Sequence, residues 1–367
     1  MSEPETGAQA EPEPEPDRAR ARARARARVE GEVAVTVIAV LATMAIGSLL
    51  VLMYGRSPAE VYRVMLRETW LTREGVTDVA FRAGPLILTG LAVAVAFRAG
   101  LFNIGVEGQA MAGAFAAAVL GTRMGGVPVG LAAALCLLAA AVVGAGAAAL
   151  PGALRARFGA HEVITTMMMN FILIAVVKQL GTDHFYAYHQ EHTLPIAASA
   201  RLPALGQAAG GARGFGVAGA LALAAAGAVA WLLLRTRTGF ELRALGASPP
   251  AAEAAGVRPG RAIVIAMALS GALAGLTAAG LVLGYKGYFQ ADLIAGYGFM
   301  GIAVALLGRA RPGGVVLAAL LLATLARGGV VVAEQVPKEL VDVLQAVLIL
   351  AVAAAGAIAR TRVRQPA

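Results

Sequence analysis

The chain has 367 residues, 59% of them hydrophobic and 14% charged, with a formal net charge of +9. Several apolar runs exceed the roughly 18 residues that bridge a hydrocarbon core, which excludes a soluble globular fold and predicts an all-α, polytopic membrane protein. The positive charge does not mark a nucleic-acid partner, because the basic residues are neither clustered on a soluble domain nor interleaved with aromatics.

Residues 1–32 join an acidic Pro-Glu repeat (Glu11 to Pro16) to an Arg-Ala alternation (Arg18 to Arg28). Such a composition cannot bury enough apolar surface to fold alone, so it reads as a disordered, charged cytoplasmic tail. Its arginines serve as a topology signal and can meet anionic membrane lipid. The first apolar run is too long for a signal-peptide core and lacks a small-residue cleavage site, so it reads as a retained span. Hydropathy gives ten candidate spans, at about 33–53, 76–97, 101–121, 127–150, 161–180, 215–234, 262–284, 293–308, 312–333 and 340–359. With the N-terminus inside, 19 of the 31 Lys and Arg fall on inner segments and 10 on outer ones, while Arg82 and Arg327 lie within spans. This bias predicts both termini in the cytoplasm, a transmembrane domain over 33–360 and a short cytoplasmic tail, 361–367.

Between the second and third runs stands FRAGLFNIGVEGQ, residues 97–109, which sets Asn103, Glu107 and Gln109 among glycines. A carboxylate at membrane depth costs about 2.5–3.5 kcal/mol on insertion scales, so it faces protein, a wet cavity or a partner. The glycines permit a broken or closely packed helix, and the spacing Gly105, Gly108, Ala112 marks tight packing. Packing alone does not require three polar side chains. Glu107 can line a route, pair with a buried arginine such as Arg98 or Arg157, or reach the membrane surface. The lone cysteine, Cys136, sits in the fourth apolar run, so there is no disulfide framework and no Cys-based metal site. In HEVITTMMMN (161–170), Glu162, Thr166 and Asn170 follow i, i+4, i+8 and share one polar face of an otherwise apolar helix, which points inward. Thr165 and Thr166 can bond back to their own helix, so Asn170 carries more weight. Met167, Met168 and Met169 read as adaptable packing.

Two hydrophilic segments interrupt the membrane pattern. Gly181 to Gly214 carries His184, His189 and His192, whose spacing suits an external surface loop better than a metal site. Arg235 to Arg261 combines Arg-rich flanks, an amphipathic stretch from Phe240 to Leu245, and Pro249-Pro250 at the start of a further turn. That pattern predicts two short helices at the membrane surface that form a docking site. The only lysines, Lys178, Lys286 and Lys338, follow Val177, Tyr285 and Pro337, so no phosphate-binding G-K-[ST] loop exists. No Ser-His-Asp, paired-carboxylate or HExxH arrangement appears either. The sequence therefore predicts no enzyme activity and no cofactor.

Six blocks carry a resemblance: FRAGLFNIGVEGQAMAGA (97–114), GAHEVITTMMMNFI (159–172), TGFELRALGASPPAAEAAGV (238–257), SGALAGLTA (270–278), GYGFMGIAVALLGRARPGG (296–314) and ELVDVLQAVLIL (339–350). In this order they resemble permease subunits of bacterial ABC importers, in the simple-sugar and nucleoside branch of the branched-chain amino acid permease superfamily. The resemblance covers about 33–360. It implies a second, related permease, a separate cytoplasmic ATPase subunit, an external substrate-binding lipoprotein, and a place in the bacterial cytoplasmic (inner) membrane. It implies inward movement of a nucleoside or simple sugar, with Asn103, Glu107, Gln109, Glu162, Thr166 and Asn170 along the substrate pathway. The ATPase-coupling segment would be 238–257, with Phe240, Glu241, Arg243 and Gly246 at its centre. His161 stands where the family often has Asn, Met300 where it often has Asp, and Tyr285 to Gln290 departs from the usual pattern; these differences bear on substrate identity, not on class. An ion-coupled secondary transporter of small polar solutes is the alternative, but it has no need of the 235–261 segment.

Overall fold

The computed structural model describes residues 41–203 and 216–333, with parts of 336–351. The charged tail 1–32, residues 33–40 of the first expected span, residues 204–215 of the segment expected outside, much of the expected span 340–359 and the tail 361–367 lie outside the described residues.

Among the described residues the chain is helical, apart from two isolated bridges, Tyr186 with Thr193 and His192 with Gln290. The helices are α1 (Leu41–Met53), α2 (Pro58–Trp70), α3 (Arg73–Arg98), α4 (Val106–Gly121), α5 (Leu131–Phe158), α6 (Glu162–Leu180), α7 (Val217–Arg235), α8 (Arg237–Ala247), α9 (Pro249–Ala254), α10 (Pro259–Gly275), α11 (Tyr297–Leu307) and α12 (Pro312–Val331). Widened π-type turns, Gly181–Phe185 and Ala279–Lys286, prolong α6 and α10. Six stretches are long and apolar enough to cross a membrane: Arg73–Arg98, Leu131–Phe158, Glu162–Phe185, Val217–Arg235, Pro259–Lys286 and Pro312–Val331. They establish a multi-pass helical membrane architecture; ten spans is a larger number than they supply.

α3 is the central span, buried without a break from Ala83 to Ala96 and packed by α7, α10, α11 and α12. α5 and α10 form the most intimate pair. Ala140, Gly144 and Ala148 recur at i+4 on α5, and a Cβ at Gly271 or Gly275 of α10 would run into the carbonyls of Gly144 or Ala140. Small residues of this kind let helix backbones approach where lipid offers no hydrophobic drive between helices.

One helix was not expected. α2 lies in 55–75, which the charge count treats as an outer connection, yet Val61, Met65 and Thr69 recur at i+4, and Val61 and Thr69 are buried. Val61 packs with Val332 and Val336, and Met65 lies over Gly328 of α12. The arginines of the same segment, spaced for the opposite face, obscured that stripe.

The segments assigned to the inner side gather at one end: the Arg98 Nε donates to the Ala310 carbonyl at 2.9 Å, and Gly246 packs on Arg98. The segments assigned outside gather at the other. There Ala197 N–H bonds Gly121 O at 2.9 Å, Thr193 N–H bonds Phe289 O at 3.0 Å, and Leu202 N–H bonds Leu283 O at 2.9 Å.

Candidate functional site

α3 stops at Arg98 because Gly100 turns the chain with φ +73°, a left-handed conformation that favours glycine. Residues 101–105 then run without helix to the start of α4, and a helix start leaves N–H groups without intrahelical partners. Deep in a membrane such groups need protein acceptors. Side chains supply them: Gly105 N–H donates to Asn103 Oδ1 at 3.0 Å, Ile104 N–H to Thr166 Oγ1 at 3.2 Å, and Gly108 N–H to Asn170 Oδ1 at 2.6 Å. Asn103 and Gln109 also pair amide to amide, at 2.8 and 3.0 Å. Asn103 Nδ2 reaches Ser270 Oγ at 2.9 Å, and that hydroxyl donates to the Ala92 carbonyl of α3 at 2.6 Å. Asn103, Gln109, Thr166, Asn170 and Ser270 are all buried. They form a closed polar knot that ties α3, α4, α6 and α10 together near the middle of the Pro259–Lys286 stretch.

Glu107 stands beside the knot. It lies in the first turn of α4, is 7% exposed, and its Oε2 accepts the N–H of Gly296, the residue that caps α11, at 3.0 Å. A Cβ at Gly298 would collide with the backbone of Glu107, so α11 begins directly on it. The starts of α4 and of α11 thus meet at one carboxyl side chain. The partner is a backbone amide; neither Arg98 nor Arg157 bonds it.

Glu162 does not join the knot. Its carboxylate lies 3.4 Å from Arg155 Nε of α5, too poorly aligned to count as a hydrogen bond, while its carbonyl accepts the Thr166 hydroxyl at 2.7 Å. The polar face of α6 does turn inward at Thr166 and Asn170.

The 235–261 segment forms α8 and α9. Thr236 caps α8 by accepting Gly239 N–H at 3.1 Å, and Pro249 and Pro250 open α9 behind the cap Ser248. Leu242 and Leu245 are buried, whereas Phe240 is exposed. Glu241 pairs with Arg237 at 3.0 Å, and Arg243 Nε donates to Gly239 O at 3.3 Å. Gly246 meets backbone with backbone: a Cβ there would strike the Arg98 carbonyl and lie 2.9 Å from Gly100 N.

Three features escaped the sequence reading. Ser270 is one, although it is one of only two hydroxyl residues, with Thr277, in the apolar run 262–284, and that was the available signal. The second is the grip of Arg98 on Ala310. The third is a charged cluster in α3 and α12: Arg82 Nε lies 2.8 Å from Asp78 Oδ2, and Arg327 lies 3.7 Å from Asp78 and 3.9 Å from Glu74. Arg82 and Arg327 thus offset the buried Asp78 carboxylate, while Glu74 lies exposed beside them. In the loop after α6, His189 meets Tyr188 edge to face and His192 stacks on Tyr288, so each histidine packs on a separate tyrosine. Burial, and then the carboxylates of Glu191 and Asp292, push the Tyr186 phenol up from its ordinary pKa. Among the described residues, no three His, Cys, Asp or Glu gather as a metal site. A shallow groove lined by Phe81, Gly84, Pro85, Gly219, Gly280 and Gly284 contains none of the knot residues.

A model of the family described as "Branched-chain amino acid transport system / permease component" matches residues 75–353. A guanosine ABC transporter permease, NupP of Bacillus subtilis, is 39% identical over 330 residues, 88% of this chain and 94% of that protein. A glucose ABC transporter permease, TsgB13 of Haloferax volcanii, is 36% identical over 86% of this chain and 85% of its own length. A nucleoside ABC transporter permease, NupB of Lactococcus lactis, is 32% identical over 88% and 90%. No solved structure matches. With a family match over residues 75–353 and similarity to these permeases over most of its length, this chain belongs to the permease family of branched-chain amino acid type transport systems.

Proposed function

We propose that this chain forms half of the membrane pore of an ABC importer and moves a nucleoside or simple sugar inward across the bacterial cytoplasmic membrane. ATP would be hydrolysed by a separate subunit. The observation that carries this reading is the set of relatives named for guanosine, glucose and nucleoside transport, each matching 86–88% of the chain. A neutral, hydroxyl-rich substrate suits amide and hydroxyl linings better than charged clamps. An ion-coupled secondary transporter is not favoured, since the family is the membrane component of a multi-part system.

The finer assignments belong to the same proposal. Ten spans over 33–360 would leave both termini in the cytoplasm, with 1–32 and 361–367 as tails. Residues 238–257 would dock on the ATPase, a reading supported by exposed Phe240 and the Glu241–Arg237 pair at the surface of α8. A second permease would cover α6, the least buried of the six long stretches, where Ile164, Met168, Phe171 and Ile172 are exposed. An external lipoprotein would deliver substrate to the 181–214 side. Asn103, Glu107, Gln109, Glu162, Thr166 and Asn170 would border the route. Their polar atoms are largely taken up within the protein, so they act by setting the wall of the route.

Uptake of radiolabelled guanosine and glucose by cells lacking and re-expressing the chain tests the proposal. Uptake should require the chain and fall with orthovanadate or loss of the co-expressed ATPase. Uptake that survives both treatments overturns it.

A further inference from the structure

One stretch of chain grips α11 at both ends. Glu107 Oε2 accepts the N–H of Gly296 at its start, and Arg98 Nε donates to Ala310 O just past its end. α11 has 11 residues, about 17 Å of helix, so it crosses only part of a hydrocarbon core of about 30 Å. It is bounded by left-handed backbone on both sides: Gly296 at φ +87°, and Arg309 and Ala310 at φ 54° and 50°. The last two are not glycines, and such conformations persist only where surroundings hold them. Arg98 is the side chain that holds Ala310.

The same stretch bears on the coupling helix. Gly246 of α8 touches the Arg98 carbonyl and the Gly100 backbone with no side chain between, so a shift of α8 has nothing soft to compress. α11 itself leans on α3 through Gly301 against Thr89, and turns Phe299 and Leu306 outward.

We propose that residues 98–107 and α11 move as one unit, with Arg98 and Glu107 as the positioning residues that carry the half-helix when the coupling segment shifts. This deepens the reading of 238–257 as the ATPase dock and rests on it. The bond to Gly296 needs an acceptor oxygen, which an amide also provides.

The test uses the intact transporter, this chain with its permease and ATPase partners, in proteoliposomes, reading guanosine taken up per ATP hydrolysed. Glu107→Ala and Arg98→Met should each lower that ratio about tenfold, within the range usual for coupling between sites, while ATP hydrolysis continues. Glu107→Gln should restore most of it. A purely structural role would lower yield and leave the ratio unchanged. In a Cys136→Ser background, maleimide labelling of Phe299→Cys should differ between nucleotide-free and vanadate-trapped states, and Glu107→Ala should abolish the difference. An unchanged ratio in both variants, or labelling insensitive to nucleotide, overturns the proposal. Should Glu107→Ala fold poorly, Arg98→Met carries the test. Glu241→Arg probes the underlying reading separately: if its ratio and ATP hydrolysis match the parent, the dock is misplaced, whatever α11 does.

Discussion

Asn103 does the most of any single side chain in the core. It accepts from Gly105 N–H and Gln109 and donates to Gln109 and Ser270. Asn103→Ala would strand a buried backbone N–H and a buried amide, each costing about 1–3 kcal/mol when left without a partner. Thr166→Ala removes one bond at 3.2 Å, to the half-buried Ile104 N–H of the 101–105 connection, and side-chain bonds measured within membrane proteins average about 0.6 kcal/mol. Thermal melts of the purified permease should therefore show a clearly larger loss for Asn103→Ala than for Thr166→Ala; equal losses would contradict the saturated knot. The sequence showed that these residues were costly and had to face inward. It did not show what they bond, because Asn103 meets Ser270 across 167 residues of chain.

At the scale of elements, glycine contacts decide the packing. Gly271→Ala would press a methyl into the Gly144 carbonyl between α10 and α5, at a cost of about 1–3 kcal/mol for an overpacked site, read as a lower melting temperature. Gly246→Ala should leave insertion intact, since α8 lies outside the long stretches, yet lower uptake by forcing α8 off Arg98. Normal uptake at normal expression would count against that contact as a working joint. Helix α11 shows why element boundaries resist prediction. The apolar run 293–308 looked like a full span, but Gly296 in a left-handed turn starts the helix late. The long, strongly apolar spans were legible from hydropathy. The amphipathic α2 was not, because its buried stripe makes sense only against α12.

For the whole molecule, the charge bias and the grouping of contacts agree. Arg98, Gly246 and Ala310 meet at one end, and the 186–202 strap meets 283–289 at the other. Reporters fused at either terminus should read cytoplasmic; an external reading for either would overturn the ten-span arrangement. The proposed reading has ATP hydrolysed by another chain, and this sequence has no G-K-[ST] segment, so ATP binding by the purified permease alone should be undetectable.

The membrane class, the long spans, the family resemblance and the presence of costly polar residues at 103–109 and 162–170 could all be read along the chain. Those properties are local: they follow from runs of apolar residues, from charges near their ends and from short ordered blocks. It took the packed helices to reveal that Glu107 answers a backbone amide rather than an arginine, that Glu162 leaves the polar set for Arg155, and that Arg98 reaches Ala310. The physical reason is partner choice. A buried polar group must find a partner, but which one it finds depends on how separated helices cross, and no spacing along the chain records that.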